Sequence, residues 1–316
     1  MITRIRPGSR LLLCSALLIT TMAFGQDFRI PESRDRATEF VGFVQPDRLY
    51  WRPLTLSGVQ TVDFKQLSFD DKTGARTILV KLPPGWKQAP GFHSADLEMI
   101  VVEGGISIGD KPMGRYSYAY YPAGYAHSYS TENGATVLQW WSGAPDYVES
   151  ETSRAGTKAG SAIDGLLYTD VPTKDPGSLP KFRDEPIMEN SPLHVKLLRL
   201  DESTGQKTWI VTIPGGTREM TGEGNLPLWS SSASWQEGFL LAGDMTMAEC
   251  LPQGQAAGSY APDGYFFRPA GISHGGLSLY SATFAVWLYR TGPGHWVTYH
   301  NSCAEPSATT SGGPTR

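Results

Sequence analysis

The sequence has few cysteines, no run of basic residues and no apolar segment long enough to cross a membrane. Only three cysteines occur among 316 residues, which excludes a small domain held together by several disulfides. The 31 acidic residues outnumber the 27 lysines and arginines, so the charge pattern of a nucleic-acid-binding protein is absent. The most apolar stretch, residues 11–24, is shorter than the roughly 20 residues of a transmembrane helix.

The first 25 residues have the pattern of a secretory signal peptide. Three arginines precede the apolar stretch, and the small residues Ala23 and Gly25 follow it, as at a cleavage site. We therefore expect export to the periplasm or the medium, with no membrane association after cleavage. The remaining 291 residues would carry 24 basic and 31 acidic side chains, a net charge of −7, and are long enough for two domains.

Two cysteines, Cys250 and Cys303, remain after the predicted cleavage. In an exported chain they are candidates for a single disulfide. Two unpaired thiols, with Cys250 buried, are equally compatible with the sequence.

An internal repeat dominates the organisation of the chain. Residues 64–85 read FKQLSFDDKTGARTILVKLPPG, and residues 195–216 read VKLLRLDESTGQKTWIVTIPGG. Each segment predicts a strand with alternating apolar residues, an acidic turn with Thr-Gly, and a second strand that ends in Pro-x-Gly. The 35 glycines and 23 prolines also favour short strands and tight turns. The repeat therefore predicts a duplicated, all-β protein.

The two copies continue to match further along the chain. EMIVVEG at 98–104 matches EGFLLAG at 237–243, and PAGYAH at 122–127 matches PAGISH at 269–274. These matches predict an N-terminal domain over 40–149 and a C-terminal domain over 191–303. Residues 150–190, rich in Gly, Ser, Pro and charge, are interpreted as a linker, and residues 304–316 as a disordered tail.

The repeated glutamate and the repeated Pro-x-Gly-x-x-His resemble the two motifs of the cupin superfamily. The resemblance extends from about Gln45 to His300 and implies two tandem cupin barrels of jelly-roll type, a bicupin. In that family the two motifs supply metal ligands from facing strands of one barrel. More narrowly, the chain resembles exported bicupins and the cupin part of ChrR-type anti-sigma factors.

In the first copy, the resemblance implies that His93, Glu98 and His127 are metal ligands. The position of a further family histidine falls on Gly91, which leaves two imidazoles and one carboxylate with an open side towards a Tyr-rich cavity. Such a set suits divalent Fe, Mn, Ni, Cu or Zn. Alternation along the strand is expected to place Ile100 and Val102 on the same inward face as Glu98.

In the second copy, Glu237 and His274 occupy the corresponding ligand positions, but Ser232 stands at the position of His93. We therefore expect the second barrel to bind metal weakly or to have a structural or ligand-binding role.

Two tyrosines near the first motif, Tyr116 and Tyr129, are the candidate catalytic residues. The leading interpretation is a metal-dependent enzyme of dioxygenase or lyase/cyclase type that acts on a small organic substrate. The alternative is a non-catalytic metal- or small-molecule-binding protein, and bicupins also serve as storage proteins. A homodimer through the barrel edges is a further expectation, and no nucleic-acid partner is expected.

Overall fold

The structure is a computed structural model that describes residues 39–56, 60–174, 193–216, 229–295 and 297–303. The predicted signal peptide, the predicted tail and part of the predicted linker lie outside these residues. No helix in the part of the chain that the structure describes is long and apolar enough to span a lipid bilayer.

Strands make up nearly all of the regular structure. Those before the linker are β1 Val41–Val44, β2 Arg52–Leu56, β3 Gln60–Phe69, β4 Arg76–Leu82, β5 Gly91–His93, β6 Leu97–Gly104, β7 Ile106–Ile108, β8 Lys111–Met113, β9 Tyr118–Tyr121, β10 Ala135–Trp141, β11 Tyr147–Glu149 and, within it, β12 Ile163–Leu166. Those after it are β13 His194–Leu200, β14 Lys207–Ile213, β15 Trp229–Ser232, β16 Gln236–Gly243, β17 Met245–Leu251, β18 Gly254–Tyr260, β19 Tyr265–Arg268, β20 Ser273–Tyr280, β21 Ala285–Thr291 and β22 Val297–His300. Short 3₁₀ turns lie at Pro46–Arg48, Ala159–Ser161 and Tyr168–Asp170.

The strands form two barrels, which confirms the predicted all-β duplication. A seven-stranded sheet with the order β12-β9-β6-β10-β4-β3-β2 and the small ladders β11-β5 and β7-β8 build the first barrel. A six-stranded sheet, β1-β19-β16-β21-β14-β13, and a five-stranded sheet, β18-β17-β20-β15-β22, build the second. The repeated segments form the antiparallel hairpins β3-β4 and β13-β14. In both hairpins an aspartate, Asp70 or Asp201, caps the turn through its carboxylate, and a glycine with positive φ follows.

Two strands pair outside the predicted domain boundaries. Strand β1, from the predicted N-terminal domain, pairs with β19 of the second barrel. Strand β12, from the predicted linker, pairs with β9 of the first barrel. Each of them covers the backbone N–H and C=O groups of a sheet edge, which are unfavourable when they are left unpaired.

The apolar side chains form two barrel interiors and a third core between the barrels. In β6, Leu97, Met99 and Val101 face the interior of the first barrel, whereas Ile100 and Val102 pack in the core between the two large sheets. This alternation corrects the sequence-based expectation, because Ile100 and Val102 lie on the outer face of the first barrel. Glu98 alternates in step with Ile100 and Val102 along β6, so it also faces the second barrel.

Cys250 and Cys303 form a disulfide, with Cα atoms 5.6 Å apart. Of the two states that the sequence left open, the structure has the bridged one. The disulfide joins the segment after β22 to β17 in the same five-stranded sheet.

Candidate functional site

Backbone pairing brings His93 and His127 together inside the first barrel. Gly91, at the start of β5, exchanges two backbone hydrogen bonds with His127, at 3.2 and 2.8 Å. The Pro-x-Gly turn before His127 is held by a bond from Gly124 N–H to the carbonyl of His93, at 2.8 Å. As a result, the centroids of the two imidazole rings lie 5.5 Å apart. The predicted pairing of these two histidines is therefore present.

Aromatic rings hold both imidazoles in place. His127 stacks against Tyr121 with a centroid distance of 4.0 Å and lies parallel to Tyr129 at 6.5 Å. Trp141 makes an edge contact with His93 at 4.6 Å. Because these rings are buried in the barrel core, the imidazoles have little freedom to turn.

Both imidazoles are neutral and have nitrogen atoms available for a ligand. Burial, followed by the proximity of His127, lowers the pKa of His93 from 6.5 to about 3. Burial lowers the pKa of His127 to about 4. The Nδ1 of His127 lies 2.9 Å from the carbonyl of Tyr125, which can only accept, so the lone pair is on Nε2. Among the described residues, that Nε2 and both nitrogens of His93 have no hydrogen-bond partner.

A cavity of about 110 Å³ has His93 in its wall, but His127 and Gln139 do not line it. Its wall includes Arg154 and Thr157, from the segment that follows β11. This segment is fixed to the Pro-x-Gly turn, because Arg154 N–H donates to the carbonyl of Gly124 at 2.8 Å. Gly124 has φ +83°, and a Cβ there would lie 2.5 Å from Thr157 Oγ1. The turn therefore requires glycine for both conformation and space.

Glu98 does not join the two histidines. Its carboxylate accepts hydrogen bonds from Tyr118 and Thr208, both at 2.6 Å, and pairs with Arg290 at 2.7 Å. Thr208 and Arg290 belong to the second barrel, so the carboxylate lies between the barrels. The described residues contain no group of three or more His, Cys, Asp or Glu side chains that could hold a metal ion. The expectation that Glu98 is a ligand is therefore corrected, because its strand turns it outward.

The pKa of Glu98 reflects this position. Burial alone would raise it, but the attraction of Arg290 and Arg199 and the hydrogen bonds from Arg290 and Thr208 lower it from 4.5 to about 2. The carboxylate is therefore ionised and acts as a buried ion-pair partner.

Glu237 has the same role in the second copy. It accepts from Thr77 of the first barrel and from Tyr265 of its own barrel, as Glu98 accepts from Thr208 and Tyr118. Arg290 donates to both carboxylates, at 2.7 Å to Glu98 and 2.8 Å to Glu237. The glutamate thus recurs in the repeat because each copy contributes one to a pseudo-symmetric interface. The expectation that Glu237 is a ligand is corrected for the same reason.

The side of the site that was expected to be open at Gly91 is filled. A Cβ on Gly91 would lie 2.4 Å from atoms of the Tyr147 ring. The Tyr147 hydroxyl donates to the carbonyl of Ala89 at 2.8 Å, and its ring centroid lies 5.2 Å from that of His93. Tyr147 therefore takes the space that a histidine at position 91 would need.

The interior of the second barrel differs from that of the first. His274 Nε2 lies 3.2 Å from Ser230 Oγ, and Ser232 Oγ lies 2.8 Å from His295 Nδ1. The guanidinium of Arg268 is buried and binds both carboxylate oxygens of Glu249. Burial, and then the charge of Arg268, hold the pKa of His274 well below its usual value. A neighbouring guanidinium is unfavourable for a metal cation at His274.

The two candidate catalytic tyrosines lie in different cores of the protein. Tyr129 is buried in the first barrel beside His127, and its hydroxyl accepts a hydrogen bond from Gln139 Nε2 at 2.9 Å. Tyr116 lies in the core between the barrels, where its hydroxyl donates to the carbonyl of Leu241 at 2.9 Å. Tyr116 therefore lies away from His93 and His127. Gln139 is not among the predicted site residues, although its place between Val137 and Trp141 on one inward face indicates a polar residue in the barrel.

The comparisons with known proteins agree with this fold. The family described as domain of unknown function DUF4437 matches residues 47–292. Among curated proteins, none matches the chain significantly.

Several solved structures share the architecture. A putative dioxygenase from Nostoc punctiforme is 18% identical with a TM-score of 0.63, over 81% of this chain and 83% of that one. Oxalate decarboxylase from Lactobacillus farciminis is 9% identical with a TM-score of 0.53, over 84% and 90%. Vicilin from Corylus avellana is 10% identical with a TM-score of 0.50, over 80% and 86%. At these identities the likeness shows the fold alone. The chain belongs to the DUF4437 family and has the fold of two tandem cupin barrels.

Proposed function

We propose that the protein is an exported bicupin whose first barrel binds one divalent transition metal through His93 and His127 and uses it on a small organic substrate. The observation that carries this proposal is the pair of buried, neutral imidazoles, of which both nitrogens of His93 and the Nε2 of His127 lack partners among the described residues. A buried polar atom without a partner is unfavourable by about 1–3 kcal/mol. A bound ion would satisfy the lone-pair nitrogen of each ring.

The ring positions fit such an ion. With metal–nitrogen bonds of about 2.1 Å, two imidazoles on one tetrahedral ion have centroids about 5 Å apart, close to the 5.5 Å observed. Metal binding requires neutral imidazole, which is the state that burial imposes here. When bound, a divalent ion would supply Lewis-acid or oxygen-binding chemistry. The cavity that has His93 in its wall would hold a small molecule next to this site.

We propose an enzyme that acts on a small molecule, and the support comes from the fold neighbours together with this site. A putative dioxygenase and oxalate decarboxylase share the two-barrel fold, and both names denote enzymes that act on small molecules. The disulfide between Cys250 and Cys303 supports an oxidising compartment, as export to the periplasm or the medium would provide.

The second candidate is a non-catalytic binding protein. The specific observation in its favour is that the residues that the structure describes contain no group of three or more His, Cys, Asp or Glu side chains that could hold a metal ion. The rings of Tyr121 and Tyr129, parallel to that of His127, would suit a planar organic ligand.

Replacing His127 by alanine tests the proposal. Loss of one of two imidazole ligands is expected to weaken Co²⁺ binding at least about 100-fold. This is more than the roughly 10–100-fold loss that is typical when a residue supporting a ligand is replaced. Binding would be followed by visible absorption of Co²⁺ added to metal-free protein, and by oxygen uptake with a panel of small acids and phenols.

His274→Ala is the matched control, because His274 holds the same place in the second barrel. It is expected to leave the Co²⁺ spectrum and affinity unchanged. Equal binding by the wild type and the His127→Ala variant would contradict a metal site in the first barrel. Metal binding without turnover of any tested compound would favour the non-catalytic alternative.

A further inference from the structure

Gln139 is a fully buried amide inside the first barrel. It lies on β10 with Val137 and Trp141, whose side chains line the barrel interior. Its Nε2 donates to the Tyr129 hydroxyl at 2.9 Å. Its Oε1 is buried and has no hydrogen-bond partner among the described residues. In this orientation the amide atom without a partner among the described residues is the acceptor oxygen.

The neighbours of Gln139 are the rings that contact the two histidines. Tyr129, which accepts its amide hydrogen, lies parallel to His127. Trp141, two residues further along the same face of β10, contacts His93. Across the sheet, Gln139 pairs with Met99, which is the inward residue next to the outward-facing Glu98. Strand β10 thus contributes an amide oxygen to the barrel interior, whereas β6 contributes only apolar side chains there.

An acceptor oxygen without a partner in a closed barrel needs either a water molecule or a cation. The amide oxygens of Asn and Gln side chains bind divalent ions. Together with the partnerless nitrogens of His93 and His127, this oxygen completes a set of three neutral donors in one barrel interior.

We propose that Oε1 of Gln139 is the third protein ligand of the metal in the first barrel, in place of the carboxylate that Glu98 does not supply. This inference rests on the proposed function. Three neutral ligands leave the ion with its full double charge. The site should therefore favour an anionic group as the next ligand, which makes an organic carboxylate the substrate class.

Two substitutions at position 139 test the assignment. Gln139→Glu puts a carboxylate at the same place and is expected to tighten Co²⁺ binding at least about tenfold, while Gln139→Leu is expected to weaken it at least about tenfold. Affinities would be measured by Co²⁺ absorption titration of metal-free protein, and acetate would serve as the anionic probe. Acetate is expected to tighten Co²⁺ binding by the wild type more than by Gln139→Glu, whose carboxylate already neutralises one charge.

Gln236→Leu is the matched control, because Gln236 is also buried with an unpartnered Oε1 but lies on β16 of the second barrel. Its Co²⁺ affinity is expected to equal that of the wild type. Thermal unfolding of each metal-free variant would establish that it is folded. If the buried carboxylate of Gln139→Glu prevents folding, Gln139→Leu alone decides whether Gln139 is a metal ligand.

The outcomes separate this inference from the proposed function. If Gln139→Leu binds Co²⁺ as tightly as the wild type while His127→Ala does not bind it, Gln139 is not a ligand and the two-histidine site stands. If the wild type binds no Co²⁺, both proposals are wrong. A purely structural amide predicts that both variants lose stability with no change in Co²⁺ affinity.

Discussion

The Glu98→Gln substitution is expected to lower the free energy of unfolding by about 3–5 kcal/mol, the loss typical of a buried ion pair that loses one partner. The carboxylate compensates the buried Arg290 and lies 3.6 Å from Arg199. An amide would remove the negative charge that lies between the two guanidinium groups, although Arg290 would still pair with Glu237. Urea unfolding of the two proteins at neutral pH measures the difference.

Glu103→Gln is the matched control, because Glu103 lies on the same strand but is exposed. Its effect is expected to be within about 0.5 kcal/mol. Glu98→Gln is also expected to keep the Co²⁺ affinity of the wild type, since Glu98 faces away from His93 and His127. A loss of Co²⁺ binding in Glu98→Gln without a loss of stability would restore Glu98 as a ligand and contradict the structure.

The same carboxylate predicts acid sensitivity. The pKa of Glu98 falls from 4.5 to about 2 on folding, so the unfolded chain takes up the proton first as the pH drops. The stabilisation is present in full above about pH 4.5 and is lost as the pH falls towards 2, by about 1.4 kcal/mol for each pH unit. The Glu98→Gln variant should lack this component, so its stability difference from the wild type should shrink between pH 4.5 and 2.

The Cys303→Ser substitution is expected to lower the free energy of unfolding by about 4 kcal/mol, since the disulfide closes a loop of 53 residues in the unfolded chain. The effect should appear in urea unfolding of the oxidised protein. Reduction of the wild type should reproduce it, whereas a reductant should not change the variant further. An equal stability of oxidised wild type and variant would show that the bridge is absent from the protein in solution.

The fold could be predicted because its signals are local and occur twice. The alternating strands, the aspartate-capped Thr-Gly turn and the Pro-x-Gly turn each follow from nearby residues, and they recur in the second copy. The hairpins β3-β4 and β13-β14 confirm the predicted plan. The pairing of β1 with β19 could not be predicted, because nothing in a four-residue strand specifies which distant sheet edge it covers.

The site was predicted only in part. The Pro-x-Gly turn gives the position of His127, and His93 follows from the motif. Glu98 was assigned to the wrong face, because neighbouring strand residues point to opposite sides and an error of one residue exchanges interior for exterior. Its true partners, Thr208 and Arg290, belong to the other barrel and are more than a hundred residues away in the chain.

The sequence by itself determined the duplicated all-β architecture, because this depends on periodicity and turn chemistry within short segments. The resemblance of its motifs to those of the cupins indicated the two histidines of the first barrel. Only the tertiary structure decided that the repeated glutamates join the barrels and that Tyr147 fills the space at Gly91. It also decided that the Gln139 side chain lies in the interior, with an oxygen that has no partner among the described residues. Each of these depends on which side chains from distant strands come within a few ångströms. That arrangement follows from the closure of the sheets and from the packing of one barrel against the other.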